Sequence, residues 1–149
     1  MTLAPIDLKI AEYKISRRFA FQFLYQQEIN QQLFFQNHVF ENFCKQSEVP
    51  NSCLSYLKNF LTEIFSQVSW IDSMIEKFSK NWKISRISKV DLSILRVAVW
   101  EISKRKEIEV AVVISDCLDI AKEYGSENST RFINGLLDSI AHDLRKKSE

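Results

Sequence analysis

The stretch VDLSILRVAVWEISKRKEIEVAVVISDCLDIAKEYGSENSTRFINGLLDSI, Val90 to Ile140, contains three apolar runs at the spacing of a helix face. Leu92, Leu95, Val99 and Ile102 form the first stripe, and Val110, Val113, Ile114, Cys117, Leu118, Ala121 and Tyr124 the second. Ile133, Leu136, Leu137 and Ile140, continued by Leu144, form the third. Boundary signals separate them. Upstream, SKVD offers Ser88 as an N-cap with Asp91 three residues on, a variant of the capping box. The charged connector SKRKEIEV divides the first run from the second. Gly125 directly follows the second run, where a left-handed C-cap residue is expected, and Ser126 or Asn128 can cap the last helix.

The chain has only two glycines, Gly125 and Gly135. Gly135 lies where the spacing predicts the interior of the last helix, and a glycine there costs about 1 kcal/mol relative to alanine. The structural explanation is that Gly135 lets a neighbouring helix approach closely while Asn134 bonds a nearby backbone group.

Working outward, no segment alternates in the manner of a half-buried strand, and two prolines leave little turn chemistry. A first helix is expected from about Leu8 to Glu28; its centre, FAFQFLY (Phe19 to Tyr25), is apolar nearly all round and must be covered on more than one side. A second is expected near Asn37 to Gln46, ending before Pro50, after which Asn51 or Ser52 can cap the next. Apolar periodicity then runs from Cys53 to Phe78 with a break near Ser66 to Ser69. The fold class is all-α: about seven helices in one domain, residues 1–149, with helical subdomains of approximately 1–80 and 81–149.

Composition narrows the function classes. At 149 residues with 46% hydrophobic residues the chain can bury a core of its own. No run approaches the roughly 18 apolar residues of a membrane span. The N-terminus lacks a basic segment followed by a continuous apolar core, so a cytoplasmic protein is expected. Cys44, Cys53 and Cys117 form no Cys-x-x-Cys pair and have only His38 and His142 as companions, so no metal site is expected and the thiols read as reduced core residues. No glycine-rich phosphate loop, paired-histidine motif or nucleophile elbow is present, and neither catalysis nor a cofactor is indicated.

Binding has more support. The net charge is only +1, yet from Lys77 to Lys106 nine lysines and arginines face two carboxylates, Asp91 and Glu101. Four carboxylates and no base follow from Glu107 to Asp119, so one side of the molecule can be basic. Near the N-terminus Lys9, Lys14, Arg17 and Arg18 precede the aromatic run and suit phosphates with stacked bases; taken alone, the segment reads more simply as the solvated face of an amphipathic helix. At the start of the last helix, backbone N–H groups and the dipole suit phosphate. Arg131 adds charge there, Asn128 and Ser129 add hydrogen-bonding groups, and Phe132 offers a ring. In the alternative, Glu127 pairs with Arg131 and Phe132 joins the core. The third basic place, Ser103 to Lys106, reads more simply as a solvated charge run.

Together RRFAFQFLYQ (Arg17 to Gln26) and the Val90 to Ile140 stretch resemble the NusB family of bacterial transcription antitermination factors. The specific part is the ordered pattern Leu95-Arg96, Glu101-Ile102, Ala121-Lys122-x-Tyr124-Gly125, then Ser129-x-x-Phe132-x-Asn134-Gly135-x-Leu137. The resemblance implies an all-helical fold of two subdomains without catalysis. It implies binding of the boxA element of ribosomal-RNA leader transcripts together with NusE, a small-subunit ribosomal protein. RNA polymerase and the other Nus factors are implied indirectly, and some relatives form a homodimer. By position, Lys14, Arg17 and Arg18 correspond to the family's arginine-rich segment, and Asn128, Ser129, Arg131 and Phe132 to its RNA-contacting turn. Tyr25 and Asp91 fall on the NusE-facing surface.

The chain departs from the family pattern in having fewer arginines near its N-terminus and in reading Ile114-Ser115-Asp116 where Ile-Asn-Glu is usual. Fewer phosphate contacts imply modest RNA affinity alone and a larger contribution from NusE. NusB-like domains also occur in ribosomal-RNA cytosine methyltransferases, which need a separate α/β cofactor domain that this sequence does not show. A protein-binding adaptor without RNA affinity is the other alternative. The RNA-binding expectation has one physical core: cationic and aromatic side chains near both ends of the chain form a single docking face.

Overall fold

The computed structural model describes the backbone of residues 5–80 and 82–146, and the side chains among them from residue 10 onward. Seven helices and no strand occur among the described residues: α1 (Pro5–Ile29), α2 (Asn37–Gln46), α3 (Asn51–Ser66), α4 (Val68–Phe78), α5 (Lys89–Lys104), α6 (Val110–Tyr124) and α7 (Ser129–Lys146). A short 3-10 turn, Ile84–Arg86, precedes α5. The expected break in the long Cys53 to Phe78 run falls at Gln67, while Asn51 and Ser52 already lie inside α3, so the capping position is Pro50.

The chain divides into two compact units, Met1–Ser66 and Gln67–Glu149. Sequence alone suggested a boundary near residue 80. It falls earlier because α4 packs against α5 and α7.

In the first unit α1 packs on α3. Phe23 sits at the centre of an aromatic cluster, edge-on to Phe40, Phe43 and Phe65 with ring centroids 5.9, 5.1 and 6.1 Å away. These edge-to-face contacts add to the burial energy of the rings and explain the all-round apolar centre of α1: Ala20, Phe21, Phe23 and Leu24 are all buried.

In the second unit α5 is the central helix, packed by α4, α6 and α7. Its residues from Asp91 to Ile102 are buried without exception, so the four-residue stripe legible in the sequence understates its enclosure. Two buried polar members of α5 have partners within the chain. Arg96 is 2% exposed and meets Asp72 of α4 in a bidentate pair, with Nε donating to Oδ1 and Nη2 to Oδ2, both at 2.8 Å. The Ser93 hydroxyl donates to the Lys89 carbonyl oxygen at 2.8 Å. Arg145 of α7 reaches back to the carbonyl oxygens of Lys106 and Ile108, tying α7 to the connector before α6.

The three cysteines are buried and free. Burial, reinforced by the Glu41 carboxylate, pushes the Cys44 thiol above its ordinary value, which disfavours the reactive thiolate.

The α6–α7 corner corrects one expectation. Gly125 has φ −90° and ψ −175°, extended backbone open to any residue, so no left-handed cap is formed. The requirement is space. A Cβ here would stand 2.6 Å from the Ser129 Oγ and 2.8 Å from both the Ser129 Cβ and the Ala121 carbonyl oxygen. The Ser129 hydroxyl in turn accepts from the Ser126 N–H at 2.9 Å, the reciprocal half of a capping box.

Gly125→Ala should therefore destabilise by overpacking, about 1–3 kcal/mol, and Ser129→Ala by about 1 kcal/mol through the lost acceptor. Thermal melts should show the double variant losing less than the sum, because removing Oγ relieves the shortest clash. Asp72→Ala, which strands the Arg96 charge in the interior, should cost about 3–5 kcal/mol in denaturant titrations.

Candidate nucleic-acid interface

In the first unit the expected residues lie along α1. Lys14, Arg18 and Tyr25 share a stripe by helical spacing, at intervals of four and seven residues. Lys14 is exposed, Arg18 half-buried, and Tyr25 exposed at the edge of its Phe21 stacking partner, 6.3 Å between centroids. Arg17 differs from its expected role. It is 1% exposed and engaged within the chain, so it is a buried cation and offers no surface for a phosphate. The Lys9 side chain lies outside the described residues.

In the second unit the structure brings three expected residues to one cavity. Asp91, Asn128 and Phe132 line a depression of about 280 Å³ whose other walls include Trp82, Arg86 and Ser126. Asp91 is placed by the α5 cap: Ser88 Oγ accepts from the Asp91 N–H at 3.1 Å, which fixes the first turn. Asn128 and Phe132 are placed by the α6–α7 corner, where the Phe132 N–H donates to the Asn128 carbonyl oxygen at 3.2 Å.

Asp91 is the chemically distinctive member. The residue is 8% exposed, and its Oδ1 is buried without a hydrogen-bond partner. A buried carboxylate oxygen left unpaired loses the solvation it would have in water. That oxygen is closed to solvent, so contact with a donor from outside falls to the exposed remainder of the residue. Arg86 adds an exposed cation and Trp82 an exposed ring, 51% accessible.

The other expected residues are distributed as follows. Arg131 is exposed, and no ion pair joins it to Glu127 among the described residues. Ser129 is 1% exposed with its hydroxyl occupied by the corner, so it shapes the turn without presenting a polar group. Gly135 is also corrected: among the described residues nothing outside its own helix lies within 4 Å of a Cβ built there, and no neighbouring helix explains it. Asn134 is exposed and faces a groove shared with α6. In the SKRK connector Arg105 packs over the Trp100 ring, 5.4 Å from its centroid, and the Lys106 carbonyl receives Arg145; these are structural roles.

Trp82 and Arg86 were missed as site residues. Their signal was present in SKNWKISR, Ser79 to Arg86, where bases interleave with an aromatic, the composition of a single-strand-binding surface.

The cap and the carboxylate can be separated experimentally. Ser88→Ala should lower stability by about 1 kcal/mol. Asp91→Asn keeps the backbone N–H to Ser88 and trades a helix-dipole contribution of about 0.3–1 kcal/mol against relief of an unpaired buried charge. Its melting temperature should stay close to that of the unmodified chain.

Residues 14–142 match the family model described as the NusB family. A transcription antitermination protein NusB from Acetivibrio thermocellus is 38% identical over 127 residues, covering 85% of this chain and 86% of the relative. Among solved structures, a T. maritima NusB superposes with a TM-score of 0.78 at 29% identity, over 91% of this chain and 94% of the other. A crystal structure of antitermination factors NusB and NusE in complex with dsRNA gives 0.78 at 27% identity, over 89% and 98% of the respective chains.

Proposed function

The chain belongs to the NusB family, and on that premise we propose that it is a cytoplasmic, RNA-binding transcription antitermination factor. With NusE it binds the boxA element of ribosomal-RNA transcripts and, with RNA polymerase and the other Nus factors, supports processive transcription. The role is one of binding. Its solved neighbour containing NusB, NusE and RNA supports the choice of partners.

The observation that carries the reading is the shared cavity of Asp91, Asn128 and Phe132. Phe132 and Asn128 face RNA, the ring stacking on a base and the amide bonding its edge or the backbone. The Asp91 carboxylate accepts a donor from NusE through its exposed part. Two ligands meeting at one depression each complete what the other leaves open, which raises joint affinity above either alone. In the first unit Lys14 and Arg18 bind phosphate and Tyr25 meets NusE; in the second, the exposed Arg131 adds a further phosphate contact. Arg17 and Ser129 support these groups from within.

Titration of single-stranded boxA RNA with and without NusE, at two salt concentrations, tests this. Lys14→Ala with Arg18→Ala should weaken RNA binding and lower the salt slope by about 0.7 for each contact removed, with helical circular dichroism unchanged. Phe132→Ala should lower RNA affinity about 5- to 150-fold, equivalent to about 1–3 kcal/mol for a stacked base, with a smaller effect on melting temperature. Asp91→Asn should weaken the NusE complex. NusE binding with no salt-dependent RNA affinity would identify a protein-only adaptor and overturn the reading.

A further inference from the structure

Gly135 is the residue that the chain itself does not explain. It lies inside α7, where glycine is among the least favourable residues. Its φ is not positive, so backbone conformation does not demand it. Among the described residues, a Cβ there would meet nothing within 4 Å outside its own helix, so packing among them does not demand it either. An approach from outside remains.

The space above Gly135 is a groove of about 400 Å³ bounded by Phe132 and Ser139 of α7 and by Phe78, Lys80 and Trp82 across from them. Among the described residues its walls carry one cation, Lys80, and no carboxylate. Trp82 and Phe132 also line the Asp91 cavity, so the two depressions adjoin along that pair of aromatic side chains. The wall opposite α7 is held in shape by Ser79, whose one hydroxyl proton lies within reach of both the Trp82 and the Glu76 carbonyl oxygens.

We propose that this groove is a second nucleotide slot, in which an RNA strand leaving the Asp91 cavity crosses Phe132 and lays its sugar-phosphate backbone against the bare face of α7 at Gly135. Trp82 supplies the stacking surface and Lys80 the phosphate contact. Lys80 suits a phosphate, and an exposed ring beside a cation is the pattern by which single strands are held without strict base choice. The absent side chain sets how closely the strand approaches, as glycine does wherever a backbone must come near a ligand. The proposal rests on the RNA-binding reading above and extends it to Gly135, Trp82 and Lys80.

The test sets stability and binding in opposition. Gly135→Ala and Gly135→Gln replace glycine by better helix formers in open space, so both should raise the melting temperature, by about 2–4 °C for a chain of this size. Fluorescence anisotropy with single-stranded boxA RNA, with and without NusE, should show about threefold weaker binding for Gly135→Ala and at least about tenfold for Gly135→Gln. Trp82→Ala should lose about tenfold, with Trp82→Phe recovering part of it. If Gly135→Gln is stabilised but binds RNA as the unmodified chain does, the slot does not exist, although the RNA-binding reading survives. If Gly135→Gln impairs only the NusE complex, with RNA binding alone unchanged, the groove serves a protein and the proposal fails. Absence of RNA binding by the unmodified chain overturns both.

Discussion

A helix with no solvent-facing side must be enclosed by its neighbours, and that constraint organises the second unit. From Asp91 to Ile102 every residue of α5 is buried, so α4, α6 and α7 must close around it. The enclosure forces Arg96 to bring its own counter-charge, Asp72, from α4. The same enclosure fixes where α5 begins, because Ser88 caps the first turn at the point where the chain enters the bundle. Asp91 inherits its position from that cap. The candidate site is thus set by how the core is closed, and its polar groups sit on backbone that packing has already immobilised.

The second determinant is a contact of atomic size. Gly125 and Ser129 press together at the α6–α7 corner, and a methyl group more at position 125 would not fit. This corner delivers Asn128 and Phe132 to the cavity that holds Asp91. The two glycines of the chain therefore carry opposite meanings. One is needed because something inside the protein is too close, the other stands where the protein leaves room.

Most of the fold was legible because apolar spacing reports helix faces directly. The α2 limits, the Ser88 cap and the break after Ser66 all follow from local chemistry that does not depend on distant contacts. The complete burial of α5 was not legible: its apolar stripe shows one face, and only tertiary packing encloses Arg96 and Glu101. Side-chain roles were harder still. Arg17 and Arg18 are neighbours of the same type, yet one is interior and the other partly exposed. Ser129 looked like a phosphate ligand because hydroxyls at helix starts often are, but its oxygen is used by the turn. Trp82 carried a usable signal in its basic, aromatic surroundings and was passed over because no helical period runs through it.

The cap that presents Asp91 opens the most enclosed helix of its unit. Amide protons of α5 should be among the last to exchange with solvent, since releasing them requires opening the unit as a whole. A ligand arriving at the cavity thus meets a lip that is already rigid, and little of the association free energy is consumed in ordering it. Discrimination among partners then rests on fit to a preformed shape, with little contribution from rearrangement of α5.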